Sequence, residues 1–201
     1  MNAFILALIA YLIGSVSFAV IVSWLYGLPD PRRYGSGNPG ATNVLRSGHR
    51  GAAVFTLLGD AFKGWLAVYL ASCWALPEEQ GVCLAAAGLM VVVGHMAPIF
   101  FRFQGGKGVA TALGVLLGLN GVIGVAAAST WIIILFFFRI SSLSAIIAAF
   151  FVPFAFGMFY GMSHPYFWAM SAVSLLLLWR HESNIKKILK GQEPRVGKKN
   201  H

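Results

Sequence analysis

Long apolar stretches without charge constrain this chain more than any other feature of its sequence. From Gly108 to Phe138, 31 consecutive residues pass without an Asp, Glu, Lys or Arg. Only 10% of the 201 residues are charged, whereas an ordinary soluble domain carries about 25%. Such a chain cannot cover a water-facing surface with polar side chains. The sequence therefore predicts an all-α integral membrane protein, in which helices satisfy their own backbone groups within the bilayer.

Charged residues and clusters of Gly or Pro divide the chain into seven predicted spans. The uncharged stretch 108–138 is too long for one span of about 20 residues and too short for two full spans. It is interpreted as a hairpin of two shortened helices that turns at Asn120-Gly121. The predicted spans are residues 3–26, 52–76, 82–101, 109–119, 122–138, 143–160 and 166–179.

The charge distribution predicts the orientation of these spans. The chain has 15 Lys and Arg against 6 Asp and Glu, and every basic residue except Lys63 lies on one side of the predicted spans, in segments 27–51, 102–108, 139–142 and 180–201. By the positive-inside rule this side is cytoplasmic, so the amino terminus lies outside and the carboxyl terminus inside. Residues 1–201 are interpreted as one membrane domain. The basic tail from Lys186 is expected to be a solvated face on anionic lipid, and no nucleic acid partner is expected.

The first polar motif runs from Gly35 to Asn43 on the predicted cytoplasmic side. Its glycines open backbone N–H groups to a ligand, and Arg46 could hold an anion through two hydrogen bonds. Neutral hydrogen bonds would come from the polar side chains between them. A plain cytoplasmic turn is the alternative. The candidate residues are Gly35, Ser36, Gly37, Asn38, Thr42, Asn43 and Arg46.

The second motif, Gly105-Gly106-Lys107-Gly108, leads directly into an apolar helix. Glycine amides at a helix amino terminus, together with one lysine, form a cradle for phosphate. The motif is not a Walker A loop, because Gly108 stands where Ser or Thr would follow the lysine. The sequence therefore gives no support for nucleotide hydrolysis. The alternative is that Lys107 simply marks the cytoplasmic side.

The third motif is Arg180-His181-Glu182-Ser183-Asn184-Ile185 at the end of the last predicted span. On a helix, His181 and Asn184 share a face. Ile185 stands where a zinc-binding His-Glu-x-x-His motif would need its second histidine, so no metal is expected. An ordinary interfacial cluster of charges is the alternative.

Three further residues lie inside predicted spans. Asp60 and Lys63 are three residues apart, and a charge at that depth is costly unless it is paired or faces a polar cavity. A structural ion pair is favoured over direct contact with a ligand, and the lone His95 is interpreted as structural. Cys73 and Cys83 are too few for a disulfide framework. No nucleophile elbow occurs, so covalent catalysis has no evident nucleophile. No His-x4-Asp pair occurs either. No cofactor is expected.

Taken together, the three motifs resemble those of the bacterial acyl-phosphate-dependent glycerol-3-phosphate acyltransferases, the PlsY family. The resemblance extends from Tyr11 to Gln192 and includes Asp60 with Lys63-Gly64, Gly94-His95 before Pro98, and Ser142-Leu143 after Arg139. It implies a catalytic set of Ser36, Arg46, Lys107, His181 and Asn184. It also implies substrate and phosphate binding by Gly35, Gly37, Asn38, Thr42, Asn43, Gly105, Gly106, Gly108 and Ser142.

The resemblance implies a seven-helix enzyme of the bacterial inner membrane with its site facing the cytoplasm. It would transfer a fatty acyl group from acyl phosphate to the sn-1 hydroxyl of glycerol 3-phosphate, giving lysophosphatidic acid and phosphate for phospholipid synthesis. Membrane lipids are expected neighbours, and no obligatory protein partner is inferred. The alternative is a transporter or channel for a phosphorylated metabolite, although the spans show no internal repeat and the polar motifs cluster on one face.

Overall fold

The computed structural model describes residues 1–197, and within that range the chain folds into ten α-helices and two short 3-10 turns. The prediction of an all-α fold is therefore confirmed for these residues. In chain order the helices are α1 (Ala3–Gly14), α2 (Phe18–Leu25), α3 (Ala41–Leu45), α4 (Arg50–Trp74), α5 (Gln80–Met96), α6 (Val109–Leu119), α7 (Gly121–Phe138), α8 (Ser141–Tyr160), α9 (Pro165–Arg180) and α10 (Glu182–Leu189).

Apolar side chains cover the outside of the bundle, and small residues fill its inside. Phe4, Trp24 and Phe136 are each 77% exposed, whereas the core is rich in alanine and valine. This distribution suits lipid, where close helix packing replaces the hydrophobic effect between helices. Among residues 1–197, five helical segments are long and apolar enough to cross a bilayer, and α6 is a shorter apolar helix. Seven crossings remain a prediction.

The central hairpin is confirmed, with α6 and α7 separated only by Asn120. The side chain of Asn120 accepts hydrogen bonds from the backbone N–H groups of Val122 and Ile123, at 3.0 and 3.1 Å. These contacts satisfy two of the donors that begin a helix, which explains why the chain can turn so sharply there.

The first predicted span, 3–26, corresponds to the candidate membrane segment Ala3–Leu25, but its helix is interrupted between Gly14 and Phe18. The break leaves the carbonyl of Val16 outside the helical hydrogen-bond pattern. Lys63 Nζ in α4 donates to this carbonyl at 2.6 Å. The interruption therefore provides an acceptor for a buried lysine of another helix.

Lys63 also belongs to what we term the buried charge cluster, made of Asp60, Lys63 and His95. Lys63 Nζ lies 2.9 Å from Asp60 Oδ1, and His95 Nδ1 lies 3.5 Å from the same oxygen. The side chains of Asp60 and Lys63 are only 3% and 2% exposed. The predicted ion pair is present, and His95 joins it from α5.

Helices α4 and α6 approach each other closely at two glycines. A Cβ added to Gly64 would lie 2.1 Å from the carbonyl oxygen of Thr111, and one added to Gly114 would lie 1.8 Å from that of Ala61. No larger residue fits at either position without moving a backbone. This contact fixes α6, and with it the loop that precedes α6, against the buried charge cluster on α4.

The tail prediction needs correction. Residues 182–189 form α10, and the chain then turns back at Gly191, where the backbone N–H of Val196 donates to the carbonyl of Arg139 at 2.7 Å. The segment after α10 is therefore tied to the protein and is not a solvated face throughout. Lys198, Lys199, Asn200 and His201, which belong to the predicted tail, lie outside the described residues.

Cys73 and Cys83 are both free thiols.

Candidate active site

A cavity of about 700 Å³ opens where the predicted motif loops meet. Its wall has a polar part at the ends of the helices and an apolar part between them. The apolar part comes from several helices and includes Leu57, Leu116, Trp131, Val152, Met170 and Val173. The polar part brings together ten of the predicted site residues, namely Ser36, Asn38, Thr42, Asn43, Arg46, Lys107, Gly108, Ser142, His181 and Asn184.

The first motif is shaped by Asn43, a buried polar residue of α3. Its Oδ1 accepts from the backbone N–H of Ser36 at 2.9 Å, and its Nδ2 donates to the carbonyls of Pro31 and Tyr34 at 2.7 and 3.1 Å. The side chain of Asn43 therefore serves the loop, and its donors are already occupied. Ser36 is exposed and lies on the cavity wall, as does Arg46. Within residues 1–197, Arg46 makes no ion pair.

Two glycines of this motif have a conformational role. Gly35 and Gly37 have φ values of +60° and +69°, and a Cβ on Gly35 would lie 2.3 Å from Asn43 Oδ1. Neither glycine lines the cavity. The sequence prediction grouped them with the phosphate-binding residues, but their positive φ values, and for Gly35 the close approach to Asn43, indicate that they let the loop turn.

The second motif is held from both sides. Arg180, the last residue of α9, donates from Nη2 to the carbonyl of Gly105 at 2.8 Å and from Nε to that of Gly106 at 3.2 Å. The backbone N–H of Gly106 donates to the carbonyl of His95 at 3.1 Å. The predicted cradle is therefore wrong for the Gly106 amide, which is not free for phosphate, and neither Gly105 nor Gly106 lines the cavity. Gly108 does line it, with φ +86°, and its position places the start of α6 at the cavity.

Lys107 lies at one end of a hydrogen-bonded chain that we term the Lys107 network. Its Nζ donates to Asn184 Oδ1. Asn184 Nδ2 donates to Glu193 Oε1 at 2.6 Å, and the hydroxyl of Ser142 donates to the same oxygen at 2.7 Å. Three regions that are distant in sequence thus meet through Lys107, Ser142 and the pair Asn184 and Glu193.

Burial lowers the pKa of Lys107 to about 8. The carboxylate of Glu193 opposes this shift, whereas the positive charges of Arg180, Arg46 and Lys187 add to it. At pH 7 the side chain of Lys107 is therefore still protonated in most molecules. The polar part of the cavity therefore offers positive charge to an anion.

His181 is buried at the junction of α9 and α10, where its Nδ1 lies 2.7 Å from the carbonyl oxygen of Leu177. Because a carbonyl only accepts, Nδ1 carries the hydrogen and Nε2 of the neutral ring is an acceptor. Burial and, next, the charge of Lys107 lower the pKa of His181 to about 4. The ring is thus neutral at physiological pH and suited to accept a hydrogen bond from a hydroxyl.

Sequence reasoning missed two residues of the site. Glu193 was placed in the basic tail, and nothing in its neighbourhood marks it except the turn residues Gly191 and Pro194 on either side. Arg180 was quoted in the third motif without a role, yet it holds the second motif in place. The arrangement as a whole can bind a phosphate beside a long apolar chain.

The chain matches the family model described as glycerol-3-phosphate acyltransferase over residues 4–191. It is 60% identical over 200 residues to the glycerol-3-phosphate acyltransferase of Burkholderia ambifaria, which covers 99% of this chain and 93% of that protein. Over the same length it is 59% identical to the enzyme of the same name from Burkholderia multivorans, with the same coverage.

Two solved structures have the same fold. The glycerol 3-phosphate form of PlsY, an integral membrane glycerol 3-phosphate acyltransferase, matches with a TM-score of 0.88 and 34% identity over 97% of this chain and 96% of that chain. The lysophosphatidic acid form matches with a TM-score of 0.87 and 32% identity over 97% and 95%.

Proposed function

Since the chain belongs to the glycerol-3-phosphate acyltransferase family of the PlsY type, we propose that it transfers a fatty acyl group from acyl phosphate to the sn-1 hydroxyl of glycerol 3-phosphate. The products are lysophosphatidic acid and inorganic phosphate, and the reaction serves phospholipid synthesis. The family is one of integral membrane acyltransferases, so the transporter alternative is no longer favoured.

The observation that carries this proposal is the two-part wall of the cavity. Arg46, Lys107 and the start of α6 offer positive charge and backbone donors at one end. The apolar side chains between the helices offer a compartment for the acyl chain. A phosphorylated acceptor and an acyl phosphate can therefore lie side by side, each with its charged group at the polar end.

Direct transfer fits these residues better than a covalent intermediate. An acyl phosphate is already activated, because phosphate leaves readily when the glycerol hydroxyl attacks the carbonyl carbon. Positioning both substrates and stabilising the transition state then supply the catalysis. Ser36 lies on an exposed loop, and the described contacts include no base that activates its hydroxyl. Its proposed role is a hydrogen bond to phosphate or carbonyl oxygen.

His181 orients the acceptor in this scheme. Its neutral ring offers Nε2 to the glycerol hydroxyl, and a pKa of about 4 makes it a weak base. A phosphate oxygen of a substrate is the better recipient of the hydroxyl proton. Lys107 remains available on the same wall to bind the phosphate, because Asn184 accepts only one of its three ammonium donors.

The donor test uses purified protein with glycerol 3-phosphate and either acyl phosphate or acyl-CoA, and it measures released phosphate or free CoA. We expect turnover with acyl phosphate and none with acyl-CoA. The opposite pattern would overturn the donor assignment. A covalent route is tested by incubating the protein with radiolabelled acyl phosphate alone. Label that stays on the denatured chain, and disappears in Ser36→Ala, would refute direct transfer.

The orientation is part of the same proposal, with the site facing the cytoplasm of a bacterial inner membrane, the amino terminus outside and the carboxyl terminus inside. The asymmetry of the basic loops supports it. Single cysteines at Gln80 and Lys190, in a chain that carries Cys73→Ser and Cys83→Ser, can be labelled with a membrane-impermeant reagent in intact cells. Labelling at Gln80 alone is expected, and labelling of both positions from the same side would exclude this topology.

A further inference from the structure

We propose that Glu193 is a positioning residue for acyl transfer, whose carboxylate sets the orientation of Asn184 and Ser142 and thereby places the ammonium of Lys107 at the cavity. The inference rests on the proposed function for its kinetic readout. It concerns a residue in the segment after α10 that the three sequence motifs do not include.

The hydrogen-bond chemistry leaves only one orientation for the Asn184 amide. A carboxylate can only accept, so Asn184 must point Nδ2 at Glu193 Oε1, 2.6 Å away. A lysine ammonium can only donate, so Asn184 must offer Oδ1 to Lys107. Without the carboxylate, only the ammonium of Lys107 would hold the Asn184 side chain, and the amide would be less firmly fixed. Glu193 therefore fixes the position of the acceptor that Lys107 uses.

The segment that carries Glu193 is anchored on both sides. Before it, the backbone N–H of Gln192 donates to the carbonyl of Lys187 at 2.8 Å, and Gly191 takes a φ of +68° to make the turn. After it, the N–H of Val196 donates to the carbonyl of Arg139 at 2.7 Å. The hydroxyl of Ser142, at the start of α8, adds a bond of 2.7 Å to the carboxylate itself. The contact is thus built from several independent elements.

Glu193 need not leave when a phosphate binds. The ammonium of Lys107 has three donors, and Asn184 takes one of them. Arg46 lines the same cavity and makes no ion pair within the described residues. These donors leave room for phosphate oxygens while the carboxylate stays in place, which favours positioning over the alternative that Glu193 occupies the phosphate site until substrate displaces it.

The charge of Glu193 provides a readout that a purely structural role would not change. Its carboxylate raises the pKa of Lys107, against burial and the positive charges of Arg180, Arg46 and Lys187. His181 also faces this group, but it is neutral at physiological pH. Removing the negative charge should make Lys107 lose its proton at lower pH.

The test compares Glu193→Gln with Glu182→Gln, an exposed acidic residue of the neighbouring α10 whose partner is Lys186. We measure the pH dependence of Lys107 acetylation by mass spectrometry on purified protein without substrate. For Glu193→Gln the apparent pKa of Lys107 should fall by about half a unit or more. The alkaline limb of kcat/KM should move in the same direction. Glu182→Gln should leave both unchanged.

Glu193→Ala should also reduce kcat/KM by about tenfold or more, because a hydrogen-bonded charge is lost from the network. Unchanged Lys107 titration in Glu193→Gln would overturn the proposal, as would a lower KM for glycerol 3-phosphate in Glu193→Ala. Failure of the wild-type protein to use acyl phosphate would instead count against the proposed function, since the acetylation titration does not depend on turnover.

Discussion

Two lysines of this protein lie in polar clusters, and they differ in how many acceptors the protein provides for their ammonium groups. Lys63 in the buried charge cluster is 2% exposed and finds Asp60 Oδ1 at 2.9 Å and the carbonyl of Val16 at 2.6 Å. Lys107 lies on the cavity wall, and within the described residues its one hydrogen-bond acceptor is Asn184. The first lysine is satisfied by the protein, whereas the second has donors left for a ligand.

We propose that this difference separates a structural charge, Lys63, from a ligand-binding charge, Lys107. A buried ammonium with a paired carboxylate and a backbone acceptor stabilises one arrangement of helices, here α1, α2 and α4 around the break at Val16. An ammonium with one neutral acceptor and a lowered pKa is held ready for an anion. We therefore expect loss of Lys63 to lower stability and loss of Lys107 to lower activity.

The two clusters are joined at one residue, Gly106. A Cβ there would lie 2.2 Å from His95 Nε2, and His95 Nδ1 reaches Asp60. Gly106 directly precedes Lys107 in the chain. The buried charge cluster thus supports the loop that carries Lys107, the lysine proposed to bind phosphate.

The largest effect is expected from Lys63→Ala. It leaves the carboxylate of Asp60 buried without its main counter-charge, which costs about 3 to 5 kcal/mol. Thermal unfolding of the purified protein in detergent should show a marked loss of stability. Lys190→Ala, at an exposed position, is the control and should change nothing. If Lys63→Ala unfolds like the wild type but loses turnover, the cluster is functional and the comparison fails.

A double variant, Asp60→Asn with Lys63→Met, sharpens this prediction. It removes both charges and keeps the side-chain volumes similar, so it should be more stable than Lys63→Ala alone. A double variant that is less stable than Lys63→Ala would show that the carboxylate has a further role beyond its pairing with Lys63.

The next effect is expected from Lys107→Ala, compared with Lys187→Ala. Losing a charge-assisted contact to phosphate, worth about 1.5 to 3 kcal/mol, should lower kcat/KM by about 10- to 150-fold. Lys187 is exposed on α10 and makes no described contact with the cavity wall, so its loss should have a small effect. Unfolding temperatures should be similar for both variants. Equal and small kinetic effects would reduce Lys107 to an interfacial lysine.

Gly106→Ala should affect both properties, because it lies where the two clusters meet. If the backbone did not move, the added methyl carbon would lie 2.2 Å from His95 Nε2 and 2.9 Å from the carbonyl oxygen of Pro39. Overpacking of this kind costs about 1 to 3 kcal/mol. We expect reduced stability and reduced kcat/KM together. Gly121→Ala, where a Cβ meets nothing within 4 Å, is the matched control. Reduced activity with unchanged stability would show that the clusters are independent.

Much of the fold could be predicted from the sequence because the bilayer imposes strong rules. The absence of charge, the polar loops and Asn120-Gly121 predicted helices close to those observed, including the short hairpin of α6 and α7. The break near Val16 could not be predicted, because the group that binds its free carbonyl is a lysine 47 residues away in another helix. Apolar composition alone does not distinguish a continuous helix from an interrupted one.

The site was predictable only in part, for a similar reason. The sequence motifs identified Ser36, Arg46, Lys107 and His181 as candidates, and in the structure all four line one cavity. Motif composition could not separate glycines that shape a loop from groups that face a ligand. It also gave no signal for Glu193, whose partners Ser142 and Asn184 are 51 and 9 residues distant.

The smallest predicted effect is the pH dependence that distinguishes the two lysines. Because burial lowers the pKa of Lys107 to about 8, its charged form predominates below that pH and is lost as the pH rises through it. At pH 8, kcat/KM should be about half of its neutral plateau, since the free enzyme's essential groups determine this profile. Lys107→Arg keeps the charge throughout this range, because an arginine does not lose its proton below about pH 12. The kcat/KM of this variant should therefore stay constant over the pH range in which that of the wild type falls, even if its absolute value is lower. The acid limb of the kcat/KM profile should not reflect titration of His181, because that ring, with a pKa of about 4, stays neutral from pH 6 upward. An alkaline limb that persists unchanged in Lys107→Arg would assign the titration to another group and remove the distinction between the ligand-binding lysine and the structural one.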